Sequence, residues 1–344
     1  MGPEWQYEPK WDGFRCLAFK DGTQVELMSK SGQPLTRYFP EIAAALAALQ
    51  PRTFVLDGEI VISIDGSLSF DALLQRIHPA RSRVEKLSAA TPGIFLVFDL
   101  LVGVRGRKLT SAPLSERRQH LEKFAAAFLG DTTTIALSPA TRRIAEARKW
   151  LAGQAGTDGV MAKRLAAPYA TGERTAMVKI KRKRTVDCVV GGFRYATKGT
   201  LIGSLLLGLY DGDGMLHHVG FTSSFKAEER QRITPIVERL RGGEGFTGRA
   251  PGGPSRWSTE RSSEWEPLRP KLVIEVEYDH FTNGRFRHGT KFLRWRPEKA
   301  PELCLLSQVA EMSADAAPPR ASARRSRAGT VSAGATTRRT SRRR

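Results

Sequence analysis

Between Phe14 and Arg184 the apolar positions fall into two kinds of run. Short stretches dense in aliphatic and aromatic residues, at 14–19 (FRCLAF), 24–28 (QVELM), 54–62 (FVLDGEIVI), 94–101 (IFLVFDLL) and 158–163 (DGVMAK), are separated by turn residues and predict β-strands. Longer stretches at 38–49, 69–77, 114–128 and 141–151 predict helices. In the third of these, Leu114, Leu121, Phe124 and Phe128 recur near helical spacing, and Ser115 is the expected N-cap ahead of Arg118 and Glu122. Strands and helices do not alternate as βαβ units would. The pattern therefore predicts an antiparallel α+β domain rather than a doubly wound one.

After Arg184 the pattern changes. Short strands are predicted at 186–194 (VDCVVGGFR), 204–211 (SLLLGLYD), 216–222 (LHHVGFT) and 272–279 (LVIEVEYD), with one helix at 227–240. Several short strands around a single helix suggest a small β-barrel of the OB kind, an architecture that commonly binds nucleic acid. "DGDG" at 211–214 reads as a hairpin turn, being too short for a calcium loop. A long Gly/Pro/Ser-rich loop follows the helix. The expected division is 1–184, 185–312 and a disordered Arg-rich tail at 313–344.

Charge narrows the class of partner. The 55 basic and 35 acidic residues leave a formal charge of +20. The tail carries nine Arg and one Asp, about +8, so about +12 stays on the body. Such an excess favours a polyanion, most often nucleic acid. The three cysteines, Cys16, Cys188 and Cys304, are far apart and lack CxxC spacing. That argues against a disulfide framework or a zinc site and fits a reducing cytosol. No apolar run approaches the roughly 18 residues of a membrane span. The first residues make neither a signal peptide nor a myristoylation signal. His217, His218 and His280 form no metal-ligand pattern and are expected on strand surfaces.

The candidate chemistry begins at "KWDGFR". Lys10 stands two residues before Asp12-Gly13 and five before Arg15. A lysine is a nucleophile only as the free amine, which requires desolvation or neighbouring cations. Taken alone, this hexapeptide is a pattern that surface turns produce by chance. Downstream, "DGE" sets Glu59 in a strand with Asp57 two residues earlier on the same face. Phe98 lies in an apolar strand, where plain core packing competes with a role in stacking. Asp158 precedes a strand that ends with Lys163. "MVKIK" directs Lys179 and Lys181 to one face of a strand. "FLRWRPEK" offers Arg294, Arg296 and Lys299.

Together, and in this order, these segments resemble the motifs of the covalent nucleotidyltransferase superfamily, and within it the ATP-dependent DNA ligases. KWDGFR is similar to motif I, DGE at Asp57 to motif III, FDLL at Phe98 to motif IIIa, DGVMAK to motif IV, KIK at Lys179 to motif V and RPEK at Arg296 to motif VI. The segment from Ser29 resembles the one that follows motif I. The resemblance spans residues 7–310 and is nearest to bacterial ligases of the ligase C kind and to the ligase module of end-joining ligases. It implies an adenylation (nucleotidyltransferase) domain followed by an OB-fold domain. Lys10 is then the catalytic nucleophile, with Asp12, Lys179 and Lys181 catalytic beside it. ATP is the cofactor, contacted by Glu8, Lys10, Arg15, Lys30, Glu59, Phe98, Lys163, Lys179, Lys181, Arg296 and Lys299. Mg²⁺, or Mn²⁺, is expected at Glu59 and Asp158. The implied partner is nicked or broken duplex DNA, with a repair polymerase or end-bridging protein as a further partner. The implied enzyme is a monomer in the bacterial cytoplasm, associated with the nucleoid. Arg296 and Lys299 reach the nucleotide only if the second domain closes over it. Three departures stand out. Asp158 replaces a usual Glu, Glu298 a usual Asp, and the segment ahead of Lys10 is short. Capping enzymes and RNA ligases share the Lys-x-Asp-Gly chemistry, and a DNA-end-binding module with a decayed pocket is the non-enzymatic alternative.

Overall fold

The computed structural model describes residues 2–130, 132–153, 157–170, 175–197, 199–252 and 264–309. The tail expected at 313–344 and the centre of the Gly/Pro/Ser-rich loop lie outside the described residues.

In the first half, strands β1 (Trp5–Pro9), β2 (Phe14–Asp21), β3 (Gln24–Ser29), β4 (Thr53–Ile64), β5 (Ser67–Leu68), β6 (Gly93–Val102), β7 (Ile135–Leu137), β8 (Val160–Arg164) and β9 (Met177–Ile180) build two sheets. The larger has the order β3-β2-β4-β6-β7, with β5 folded back on β4. All its pairs are antiparallel except β6–β7. Its helices are α1 (Pro40–Ala48), α2 (Phe70–Arg76), α3 (Arg81–Ala90) and α4 (Leu114–Phe128). Pro40 starts α1, where a missing N–H costs no helical hydrogen bond. The Ser69 hydroxyl accepts from Ala72 N and caps α2. The helices close a core that includes Phe39, Phe54, Leu56, Phe95, Leu121 and Phe124. The expected cap at Ser115 is not formed. Pro113 takes the N-cap position, and Ser115 lies one residue inside α4. The α3 helix is absent from the sequence expectations, because its polar face dominates and Val84 is its buried residue.

The smaller sheet, β1-β8-β9, is covered by α5 (Ile144–Leu151), which packs with Trp5, Tyr7, Val160 and Ala162. This sheet matters most for the site. β1 and β8 run antiparallel with Pro9 opposite Val160. The residue leaving β1, Lys10, and the residues entering β8, Asp158-Gly159, are therefore held side by side.

The second half contains β10 (Arg184–Tyr195), β11 (Ile202–Tyr210), β12 (Leu216–Thr222), β13 (Glu266–Pro267), β14 (Val273–Tyr278), β15 (Phe281–Thr282), β16 (Arg285–Phe286) and β17 (Lys291–Trp295). The sheet order is β12-β11-β10-β14-β17, and β13 pairs with β10. The outer strands approach at one bridge, where Thr222 meets Thr290. A helix, α6 (Ala227–Glu238), packs on β11. The core is aliphatic and aromatic, with Val189, Phe193, Leu206, Leu209 and Ile274 fully enclosed. "DGDG" forms the β11–β12 turn, Asp211 accepting from the backbone N–H groups of Asp213 and Met215. His218 corrects the expectation of strand-surface histidines. It is buried, 7% exposed, against the Phe246 ring. No helix among the described residues is long and apolar enough to cross a membrane.

Candidate active site

Lys10 is fixed by the main chain before its side chain is considered. Its N–H donates to Gly159 O, and its carbonyl accepts from Asp158 N, each at 2.9 Å. Gly159 is confined by its surroundings. It has φ of +140°, and a Cβ there would lie 2.2 Å from Ile180 O. The glycine lets β8 approach β9 closely enough for Lys179 and Lys181 to share the site.

The Lys10 ammonium pairs with Asp158 Oδ2, both groups being largely enclosed. Asp158 Oδ1 lies 2.6 Å from His280 Nε2. Burial alone would raise the Asp158 pKa. The hydrogen bonds from His280 and Lys10 outweigh burial and hold the carboxyl below its usual range. Lys181 lies 3.8 Å from Asp158 and 2.7 Å from Asp279. Burial lowers the Lys179 pKa, and the surrounding cations Lys30, Lys10, Arg15 and Lys181 lower it further. This cationic cluster suits a bound phosphate chain.

Glu59 sits on β4 opposite Arg15 of β2. Burial pushes its pKa up to about 7, only partly offset by Arg15 and Lys10. Arg15 is instead committed to Asp57, donating from Nε at 3.1 Å and from Nη2 at 2.7 Å. Phe98 is half-buried outside the core cluster. The Lys163 ammonium stands 4.4 Å from its ring centre, and the Arg15 guanidinium 5.7 Å. Lys163 also pairs with the buried Glu8 at 2.5 Å, and Gln6 donates to Glu8 at 2.8 Å.

The second half of the chain reaches into this cleft through a hairpin that the sequence reading missed. Asn283 and Gly284, with φ of +52° and +71°, turn β15 into β16. An Asn-Gly pair between Phe281 and Phe286 is a strong hairpin signal and was available in the sequence. Asn283 donates to Asp71 at 2.8 Å, and Arg287 pairs with Asp12 at 2.5 Å. Asp12 thus faces Arg287, whereas the Lys10 amine takes Asp158. Arg296 and Lys299 are elsewhere. Arg296 pairs with Asp187 at 2.8 Å and Glu298 at 2.5 Å, and Lys299 lies 4.0 Å from Asp187. Arg294 is bound to Glu275 on the same sheet. The structure gathers Lys10, Arg15, Glu59, Phe98, Asp158, Lys163, Lys179 and Lys181 and leaves Arg296 and Lys299 apart from them.

A family described as the ATP dependent DNA ligase domain matches residues 1–181, and the ATP dependent DNA ligase C terminal region matches residues 198–299. The chain belongs to the ATP-dependent DNA ligases. DNA ligase C of Mycobacterium tuberculosis is 43% identical over 323 residues, covering 89% of this chain and 90% of that protein. The multifunctional non-homologous end joining DNA repair protein LigD of the same species is 32% identical, covering 87% of this chain and 37% of that protein. A solved Lig E DNA ligase, at 18% identity and TM-score 0.53, covers 86% of this chain and 93% of that chain. That likeness shows the fold alone.

Within this ligase family the donor set can be tested for a metal. Among the described residues no group of three or more His, Cys, Asp or Glu forms a ready cage. The Glu59 side chain, which feels the Lys10 charge, makes no ion pair or hydrogen bond among the described residues, and Asp158 is the carboxylate at the Lys10 amine. Two oxygen donors completed by substrate phosphates fit Mg²⁺, which keeps several waters and seldom takes an all-protein cage.

Proposed function

We propose that this chain seals 5′-phosphate/3′-hydroxyl nicks in duplex DNA through a lysine-bound adenylate. The carrying observation is Lys10. Its amine is enclosed and held at Asp158, and it opens onto the Lys30–Lys179–Lys181 cluster.

In the first step the Lys10 ammonium gives up its proton to water, and the free amine attacks the α-phosphorus of ATP. The N–P bond forms, the bond to the β-phosphate oxygen breaks, and pyrophosphate leaves. A 5′-phosphate oxygen of DNA then takes the adenylyl group and releases Lys10. The 3′-hydroxyl attacks that activated 5′-phosphorus and AMP departs. Every step is a phosphoryl transfer, so the protein contributes position and charge. Lys179 and Lys181 meet the charge growing on the α-phosphate. Phe98 carries the adenine, Glu8 and Lys163 contact the base and phosphate side, and Arg15, Lys30 and Glu59 hold the ribose. Mg²⁺ or Mn²⁺ held by Glu59 and Asp158 would neutralise phosphate charge. For Arg296 and Lys299 to reach the pyrophosphate, the second domain must reorient, a gating motion of the lid type.

The second domain, 185–312, is read as an OB fold on its strand order, its single helix and the approach of its edge strands. The adenylation domain is read as 1–184 and the tail as 313–344. The relation to LigD supports a repair setting with broken or nicked DNA, and the enzyme is read as acting as a monomer.

Incubation with α-labelled ATP and Mg²⁺ should place label on the wild-type chain and none on Lys10→Ala. Pre-adenylated nicks separate the later steps, and Arg296→Ala should seal these while failing to label itself from ATP. An unlabelled wild-type chain would overturn the reading.

A further inference from the structure

Tyr169 lies between the segment that carries Asp158 and the one that carries Lys179, and no motif accounts for it. Its hydroxyl donates to Asp57 Oδ2 at 2.8 Å and accepts from Arg15 Nη2 at 3.2 Å. Asp57 is fully buried, so both its oxygens need partners. Oδ1 takes Arg15 Nε, while Oδ2 takes Arg15 Nη2 and the tyrosine. Three side chains from three segments close one hydrogen-bonded ring. Burial and the neighbouring Asp57 raise the Tyr169 pKa, which keeps the hydroxyl protonated as a donor.

Tyr169 is itself anchored. Its N–H donates to Thr110 O at 2.9 Å. The Arg117 guanidinium stands 5.7 Å from its ring centre. Arg117 is buried and locked by two hydrogen bonds to Asp99, at 2.9 and 3.0 Å, and by the carbonyls of Ala112 and Ala167. The ring therefore stands on a fixed pedestal, unlike an exposed tyrosine. Arg15, by contrast, is held near Phe98 through Asp57 and Tyr169 alone among the described side-chain hydrogen bonds. Nε and Nη2 are spent on this ring, which leaves Nη1 to meet a ligand.

We infer that Tyr169 is a positioning residue for ribose recognition, fixing through Asp57 the guanidinium plane in which Arg15 meets the sugar hydroxyls of ATP. This rests on the reading of Arg15 as a ribose contact. The hydroxyl is what matters, because the ring alone preserves packing against Arg117. Removing it leaves Asp57 Oδ2 short of a donor and frees Arg15 to rotate.

The test is lysine adenylation by the full chain, comparing wild type with Tyr169→Phe, Arg15→Lys and the double variant. ATP, 2′-deoxy-ATP and 3′-deoxy-ATP are the probes, and thermal midpoints are recorded in parallel. Tyr169→Phe should raise KM for ATP about tenfold, the effect of one well-placed hydrogen bond. The kcat should stay within about twofold. Preference for ATP over the deoxy analogues should shrink, and sealing of pre-adenylated nicks should be unchanged. In the Arg15→Lys background the same substitution should have little further effect, because it acts through Arg15. Wild-type KM and wild-type preference in Tyr169→Phe would overturn the inference. So would a loss of kcat and thermal midpoint with preference intact, which marks a purely structural role. Absence of label on the wild-type chain would instead defeat the functional reading, and the inference would fall with it.

Discussion

Arg287 in the second half of the chain pairs with Asp12 in the first at 2.5 Å, across 275 residues of chain. Its guanidinium also stands 3.5 Å from the centre of the Phe70 ring. A charge pair combined with a cation–π contact clamps the hairpin beside Lys10 and Asp12. Arg287→Ala should release this clamp. With labels on Thr23→Cys and Asp213→Cys, both exposed, the distribution of distances between the two halves of the chain should broaden. The native cysteines are buried and will not compete for label. An unchanged distribution would mean that closure rests on other contacts.

Glu59 sets function against stability. Its pKa of about 7 means that the ionised form is disfavoured where it stands, chiefly by burial. Glu59→Gln keeps the shape and removes the charge. At pH 8, without nucleotide, the variant should melt higher than wild type by a few degrees, a gain on the order of 1 kcal/mol. The same variant should lose most lysine labelling. Calorimetry beside the label assay checks both halves, and a lower melting point would contradict the desolvation argument.

His218 makes the second half of the fold sensitive to acid. Burial lowers its pKa from 6.5 to about 3, helped by the nearby cations Arg285, Arg194 and Arg249. Between those values the unfolded chain binds the proton and the native chain does not. Stability therefore falls as pH drops from 6.5 towards 3, by up to about 1.4 kcal/mol per pH unit. Urea titrations at pH 7, 6 and 5 should show this slope in wild type and a shallower one in His218→Phe. Equal slopes would remove His218 as the cause.

Lys163 and Glu8 form a nearly dry pair, 13% and 2% exposed. Removing one partner strands the other. Lys163→Met should cost roughly 3 kcal/mol, the scale for a broken buried pair. Adding Glu8→Gln should recover much of that loss in the same denaturation measurement. If the double variant is no more stable than the single one, the pair is not the source.

What the sequence made readable follows from how local each signal is. Strands β2, β4 and β6 announced themselves by apolar runs, and the order of short motifs pointed to Lys10, Asp158, Lys179 and Lys181, side chains that the structure places near one another. Tyr169 carried no such signal, because its importance comes from Asp57 and Arg15, which are 112 and 154 residues away in the chain. The pairing of Arg287 with Asp12 was equally invisible, being a product of how the two halves of the chain meet. His218 was misjudged because alternation places it beside His217 without saying which face is inward. Its burial depends on Phe246, on a distant segment. Ser115 failed as a cap for the opposite reason. The residue type was right for a cap, but the helix had already begun behind Pro113.

The two main-chain hydrogen bonds between Lys10 and the Asp158–Gly159 peptide carry a lesson about tolerance to change. A frame made of backbone atoms does not depend on which side chains it displays. It brings residue 158 so near the lysine that an aspartate, one methylene shorter than a glutamate, meets the amine. The register of Lys10 against residue 158 is thereby set by main-chain atoms, independent of the length of the acid displayed there.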